Sequence, residues 1–167
     1  MDKHLAQLET HLRQLLEEHT ALLSLIRNKA EALRKADAAR VGECCELENH
    51  RVQKIGEIEK NRQAVVVALT QQLDPTATEP MSLKRIAEHT DEPQRGRILV
   101  LQAQLTQMMN DVRRESAVLR HAMQRLMNHV NGMIQSIVQN VSGSGTYNQR
   151  GVVASSPAVA ASFSATA

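Results

Sequence analysis

The chain has 167 residues, 42% hydrophobic and 23% charged, with 20 Lys+Arg against 18 Asp+Glu. That is one domain of ordinary size, with a net charge of +2 that exerts no strong pull toward nucleic acid or a membrane surface. Only 1% of the residues are aromatic, Tyr147 and Phe163, so everything before Tyr147 builds its core without a ring. Aromatic-lined ligand pockets and base-stacking platforms are excluded there.

Leu5, Leu8, Leu12, Leu15, Leu22, Ile26 and Leu33 step by three and four, which predicts an amphipathic helix over about 3–35. The apolar pattern resumes through Val41, Cys45, Val52, Ile55, Ile58, Val65, Val66, Leu69 and Leu73, but its phase shifts near Ala36–Arg40, where Asp37 can cap a new helix. Two helices, about 3–35 and 38–73, folded as an antiparallel hairpin are expected. The rival is one continuous rod with a stutter, since neither Gly nor Pro forces a break. Residues 74–93 hold Pro75, Pro80 and Pro93 and read as a connector, with one short helix candidate from Leu83 to His89 capped by Ser82. A third helix, about 94–140, carries Ile98, Leu101, Leu105, Met108, Val112 and Leu119 in its first part. The predicted class is therefore all-α: a long helical hairpin plus a long third helix, forming a single bundle domain over 1–141. A flexible Gly/Ser/Ala-rich tail is expected over 142–167, because it has too few large side chains to offset about 1–2 kcal/mol of backbone ordering per residue.

Lengths set up a mismatch. At ~1.5 Å per residue the hairpin arms are roughly 50–54 Å long and the third helix about 70 Å, so the third helix is expected to overhang. At 100° per residue, Leu119, Met123, Leu126, Met127, Val130, Met133, Ile134, Ile137, Val138 and Val141 share an arc of about 140°, wider than a seam for one partner. Five of seven methionines lie on this helix, at Met108, Met109, Met123, Met127 and Met133, and thioether chains suit surfaces that repack around partners. Either this face packs on both arms of the hairpin, or its distal part stays open for another protein's helix.

Catalytic and metal chemistry find no support. His4, His11 and His19 recur at steps of seven and eight, about 10–12 Å apart on a helix, too far to share an ion. Phosphate-binding glycine loops and nucleophile elbows are absent from the sequence. Glu17, Glu18, Glu46, Glu48, Glu57 and Glu59 lie among Lys and Arg at helix-pair spacing, as on a solvated face. The basic pairs Lys84-Arg85 and Arg113-Arg114 are interleaved with acids, so no nucleic-acid stripe forms. No enzyme activity, cofactor or metal is expected. Cys44 and Cys45, adjacent and with no signal peptide before them, point to a reducing, cytoplasmic compartment. No run approaches the roughly 20 apolar residues of a membrane span.

Three features now combine: the leucine-rich opening Leu5–Leu33 followed by Ala36-Asp37; Ile55-Gly-Glu-Ile58-Glu59-Lys-Asn-Arg62 with Val65 and Val66; and Thr146-Tyr147-x-x-x-Gly151 after the third helix. In this order the chain resembles the FlgN-type family, flagellar export chaperones for the hook-filament junction proteins, over roughly residues 5–151. The resemblance implies a non-enzymatic cytoplasmic chaperone that holds the terminal helices of hook-associated proteins, prevents their early assembly and delivers them to the type III export gate. It makes Val130, Met133, Ile134, Ile137, Val138 and Val141 candidate client contacts and Tyr147 a candidate contact with the export gate; Leu119, Met123, Leu126 and Met127, on the same arc, join the candidate client surface. Where the family often has Asn about four residues before the Leu of the third helix, this chain has Glu115 ahead of Leu119. The alternative is a homodimeric coiled-coil scaffold, its open face covered by a second copy with no transient client.

Overall fold

The computed structural model describes residues 1–143, with side chains through Asn140. Four helices follow in order: α1 (Asp2–Arg34), α2 (Ala38–Leu73), α3 (Leu83–Glu88) and α4 (Gln94–Gly143). Two of the expected junctions are built as read. Asp37 caps α2 by accepting from the backbone N–H of Arg40 at 3.0 Å, and Ser82 caps α3 by accepting from that of Arg85.

A hairpin, not a rod, forms because α1 is stopped from behind. The N–H of Ala36 donates to the carbonyl of Leu33 at 3.1 Å and that of Asp37 to Ala32 at 3.0 Å, the paired bonds that close a helix whose next residue turns left-handed. Ala36 is that residue, at φ 54°. Asp37 thus closes one helix with its N–H and opens the next with its carboxylate.

The chain forms two units, Met1–Ala122 and Met123–Ala167. In the first, α1 and α2 run antiparallel, with their buried faces together. Leu5, Leu8, Leu12 and Leu15 of α1 meet Ile58, Val66 and Leu69 of α2, and α3 and the connector add Ile86, Ala87 and Met81. Ile98, Leu101 and Leu105 of α4 complete this core. Burial of one such side chain contributes about 1.5–3 kcal/mol, enough to hold helices whose isolated propensities would not.

Charges set the register. Arg97 reaches Glu9 at 3.2 Å and Arg27 reaches Glu115 at 3.6 Å, and each pair joins residues 88 apart in the chain, so α4 runs parallel to α1. At that offset Arg34, the last residue of α1, is level with Ala122, the last residue of the unit. Glu115 therefore serves α1. Within this unit α4 packs on the hairpin through Ile98, Leu101 and Leu105.

Not all the acids sit on a solvated face. Glu18 is 7% exposed and bridges to α2 through Lys54 at 2.6 Å and Arg51 at 2.8 Å. Glu48 is paired with Lys29 across the same hairpin. Spacing on one helix cannot disclose a partner on another, which is why the sequence reads both acids as solvated.

The second unit, as far as it is described, is the part of α4 from Met123 to Gly143. Beyond Gly143 the tail, with Tyr147, lies outside the described residues. Among the described residues no helix is long and apolar enough to cross a membrane.

Candidate functional site

The ten apolar positions predicted for partner binding do not share one fate. Leu119 is buried, at 6% exposure, and belongs to the first unit. It is a core residue, taken up by the interior that the Arg27–Glu115 pair brings together, and it drops out of the accessible set. Met123 is half-buried. Leu126, Met127, Val130, Met133, Ile134, Ile137 and Val138 are all exposed, from 39% at Val130 to 61% at Met127 and Ile137. Val141 has no described side chain, and Tyr147 lies outside the described residues.

Seven large apolar side chains exposed in thirteen residues on one helical arc are unusual, since scattered surface hydrophobes are normal but contiguous strips mark interaction sites. The rest of α4 makes the contrast clear: Ile98, Leu101 and Leu105 repeat at the same spacing and are buried.

The chemistry around the strip is also distinctive. From Leu126 to Asn140 there is no Asp, Glu, Lys or Arg, and the intervening positions are Asn128, His129, Asn131, Gly132, Gln135, Ser136, Gln139 and Asn140. Gly132 forms the floor of a shallow notch lined by Asn128, His129, Met133, Ser136 and Ile137. A Cβ built at Gly132 would meet nothing within 4 Å. The Ser136 hydroxyl donates to the Gly132 carbonyl at 3.0 Å, so its one proton is already spent within the helix.

A second concavity lies in the first unit, lined by side chains of α1, α2, α3 and α4. It is a cleft of about 460 Å³ with Leu12, Leu15, Ile55, Leu83, Leu105 and Met109 as apolar lining and His19, Glu59, Arg62, Gln102 and Thr106 as polar members. Arg62 donates to Glu59 through two nitrogens, at 2.8 and 2.6 Å. That guanidinium holds the Glu59 carboxyl below the usual carboxylate range, and Glu59 in turn raises Arg62. The carboxylate and guanidinium of the cleft are thus paired with each other.

Among the described residues no three His, Cys, Asp or Glu side chains are grouped to hold an ion. His4 faces Gln72, His11 faces Gln14, and the Nδ1 of His19 lies 2.8 Å from the Leu15 carbonyl. Cys44 and Cys45 are free thiols, the first buried.

Sequence reasoning missed Thr70. It is buried, donates to the Val66 carbonyl and accepts from the backbone N–H of Met81, both at 2.9 Å, and so pins the connector to α2. A lone Thr in a helical pattern carries no signal for such a contact.

Comparison with curated proteins and with solved structures gives no match for this chain. A family model, described as FlgN protein, matches residues 1–155, and with a match over most of its length the chain belongs to the FlgN family of flagellar export chaperones.

Proposed function

We propose that this chaperone captures the terminal helices of hook-associated proteins on the apolar strip Leu126–Val138 of α4, holds them apart from premature assembly in the cytoplasm and delivers them to the export gate. The observation that carries the reading is the run of seven exposed, large apolar side chains on one arc of a helix. A helix-forming client segment needs an apolar face as its partner, and a helix with an uncovered face supplies it. Family membership supports the class of client.

Leu119 is left out of the client surface because its side chain is already buried. Tyr147 is proposed, on the family resemblance alone, as the contact with the export gate. A second reading, a homodimer whose copies cover each other's strips, draws on the same uncharged surface, which offers no like charges to keep two copies apart. The two readings part on competition, since a client helix displaces the second copy from a chaperone and leaves a scaffold dimer intact.

The test is a double substitution, Met133→Asp with Ile137→Asp. Capture of the terminal segments of the source cell's hook-associated proteins is expected to be lost while the far-ultraviolet circular dichroism keeps its helical signal. Retained capture would overturn the strip as the client site. Loss of helicity would mean that both residues serve the interior.

A further inference from the structure

Charge is used on α4 where the protein contacts itself and is missing where the strip is open. In the first unit the ion pairs Arg97–Glu9 and Arg27–Glu115 link α4 to α1. From Leu126 to Asn140 no formal charge remains. Paired helices select partner and register chiefly through charges beside the apolar seam. This stretch has no such means, and a charged flank on an incoming helix would lose water here without gaining an opposite charge.

Geometry adds to this. At 100° per residue the exposed apolar residues from Leu126 to Val138 span about 140°, with Met133 at one edge, and His129, Ser136 and Gly132 lie about 40°, 60° and 100° beyond it. That side is low: Gly132 has no side chain and Ser136 is folded back onto the Gly132 carbonyl. Small residues four apart let a second helix come close, and the neighbouring amides of Asn128 and Asn140 can exchange hydrogen bonds with uncharged polar groups.

We propose that the partner seated on this strip is an uncharged amphipathic helix, its apolar face flanked by Asn, Gln, Ser or Thr, packed against the Gly132–Ser136 side and held by a contact that does not depend on salt. The inference rests on the client-binding reading of the same face and names the chemistry of the segment it takes. Selection then comes from the fit of apolar side chains into the notch beside Met133 and Ile137, with Gly132 as the residue that keeps the notch open.

The full-length chain is titrated with three probes: a terminal segment of a hook-associated protein from the source cell, a synthetic 25-residue helix with aliphatic heptads and Gln/Asn/Ser flanks, and the same helix with Lys/Glu flanks. The first two are expected to bind competitively, with Kd changing less than about twofold between 50 and 500 mM NaCl, and the third at least tenfold more weakly. Gly132→Leu, whose Cβ meets nothing within 4 Å, is expected to weaken both binding probes at least tenfold while keeping helicity. A tenfold loss of affinity in high salt, equal binding of the charged helix, or unchanged binding by Gly132→Leu would overturn the inference and leave the client-binding reading in place. Binding of the uncharged helix without the terminal segment would sink that reading and keep the inference. A dimer that the uncharged helix cannot dissociate would overturn the inference.

Discussion

Ala36 shows how a single residue can carry a fold decision at a cost. A non-glycine residue in the left-handed region costs roughly 1–2 kcal/mol, yet here that conformation ends α1 and lets Asp37 begin α2. Ala36→Gly removes the steric cost and adds a smaller unfolded-state entropy cost, so a net gain of about 0.5–1 kcal/mol is expected in urea unfolding. Thr70→Val keeps the shape but leaves the buried Met81 N–H without its acceptor, and a loss of about 1–3 kcal/mol is expected by the same measurement. Glu18 carries a pH dependence. Its carboxyl is held below the usual carboxylate range first by the Lys54 hydrogen bond and then by Arg51, against the opposing effect of burial. A depressed native pKa means that the stabilisation is complete above the unfolded value and is lost as pH falls through the native one. Unfolding free energy is therefore expected to fall on acidification from about pH 5 downward, and Glu18→Gln is expected to flatten that slope while costing about 1–2 kcal/mol at neutral pH.

At the scale of the element, α4 is one helix with two surfaces of similar composition and opposite use. Leu105 is buried among α1 and α2 side chains, whereas Ile137 is 61% exposed. Leu105→Ala is expected to cost about 2–5 kcal/mol, because a cavity is left in packed surroundings. Ile137→Ala is expected to stay within about 0.5 kcal/mol, since nothing in the described structure covers it. Paired denaturation curves check this contrast, and equal losses would mean that the distal strip is covered in solution. Periodicity alone reads both stretches as the same amphipathic helix, and it ran the strip back to Leu119. That residue is claimed by the interior, on the stretch of α4 that is paired with α1 through Arg27 and Glu115.

At the scale of the molecule, exposed apolar surface has a consequence in solution. A strip of this kind lowers its free energy by covering itself, so sedimentation is expected to show association that grows with protein concentration. The Met133→Asp, Ile137→Asp double variant is expected to remain monomeric over the same range. Association unchanged in that variant would point to another surface, and the 460 Å³ cleft of the first unit is the first place to look.

The order of the helices and most of their ends were decided locally, so they were legible in the residues themselves: leucine spacing, the Asp37 and Ser82 caps and the proline-bearing connector all act within a turn or two of chain, whereas the phase change at Ala36–Arg40 left hairpin and rod both open until the left-handed Ala36 decided between them. The apolar arc on α4 was legible for the same reason, being a property of one helix. Which part of that arc is buried was not, because it depends on where α1 ends when aligned to α4 through Glu9 and Arg27, a distance of 88 residues along the chain. Glu18 and Thr70 were hidden likewise: their partners come from another helix and from the connector, and only the folded chain brings an ammonium or a peptide N–H to them. Helix formation is a short-range choice and burial a long-range one, and for this protein the extent of the proposed site depends on the second.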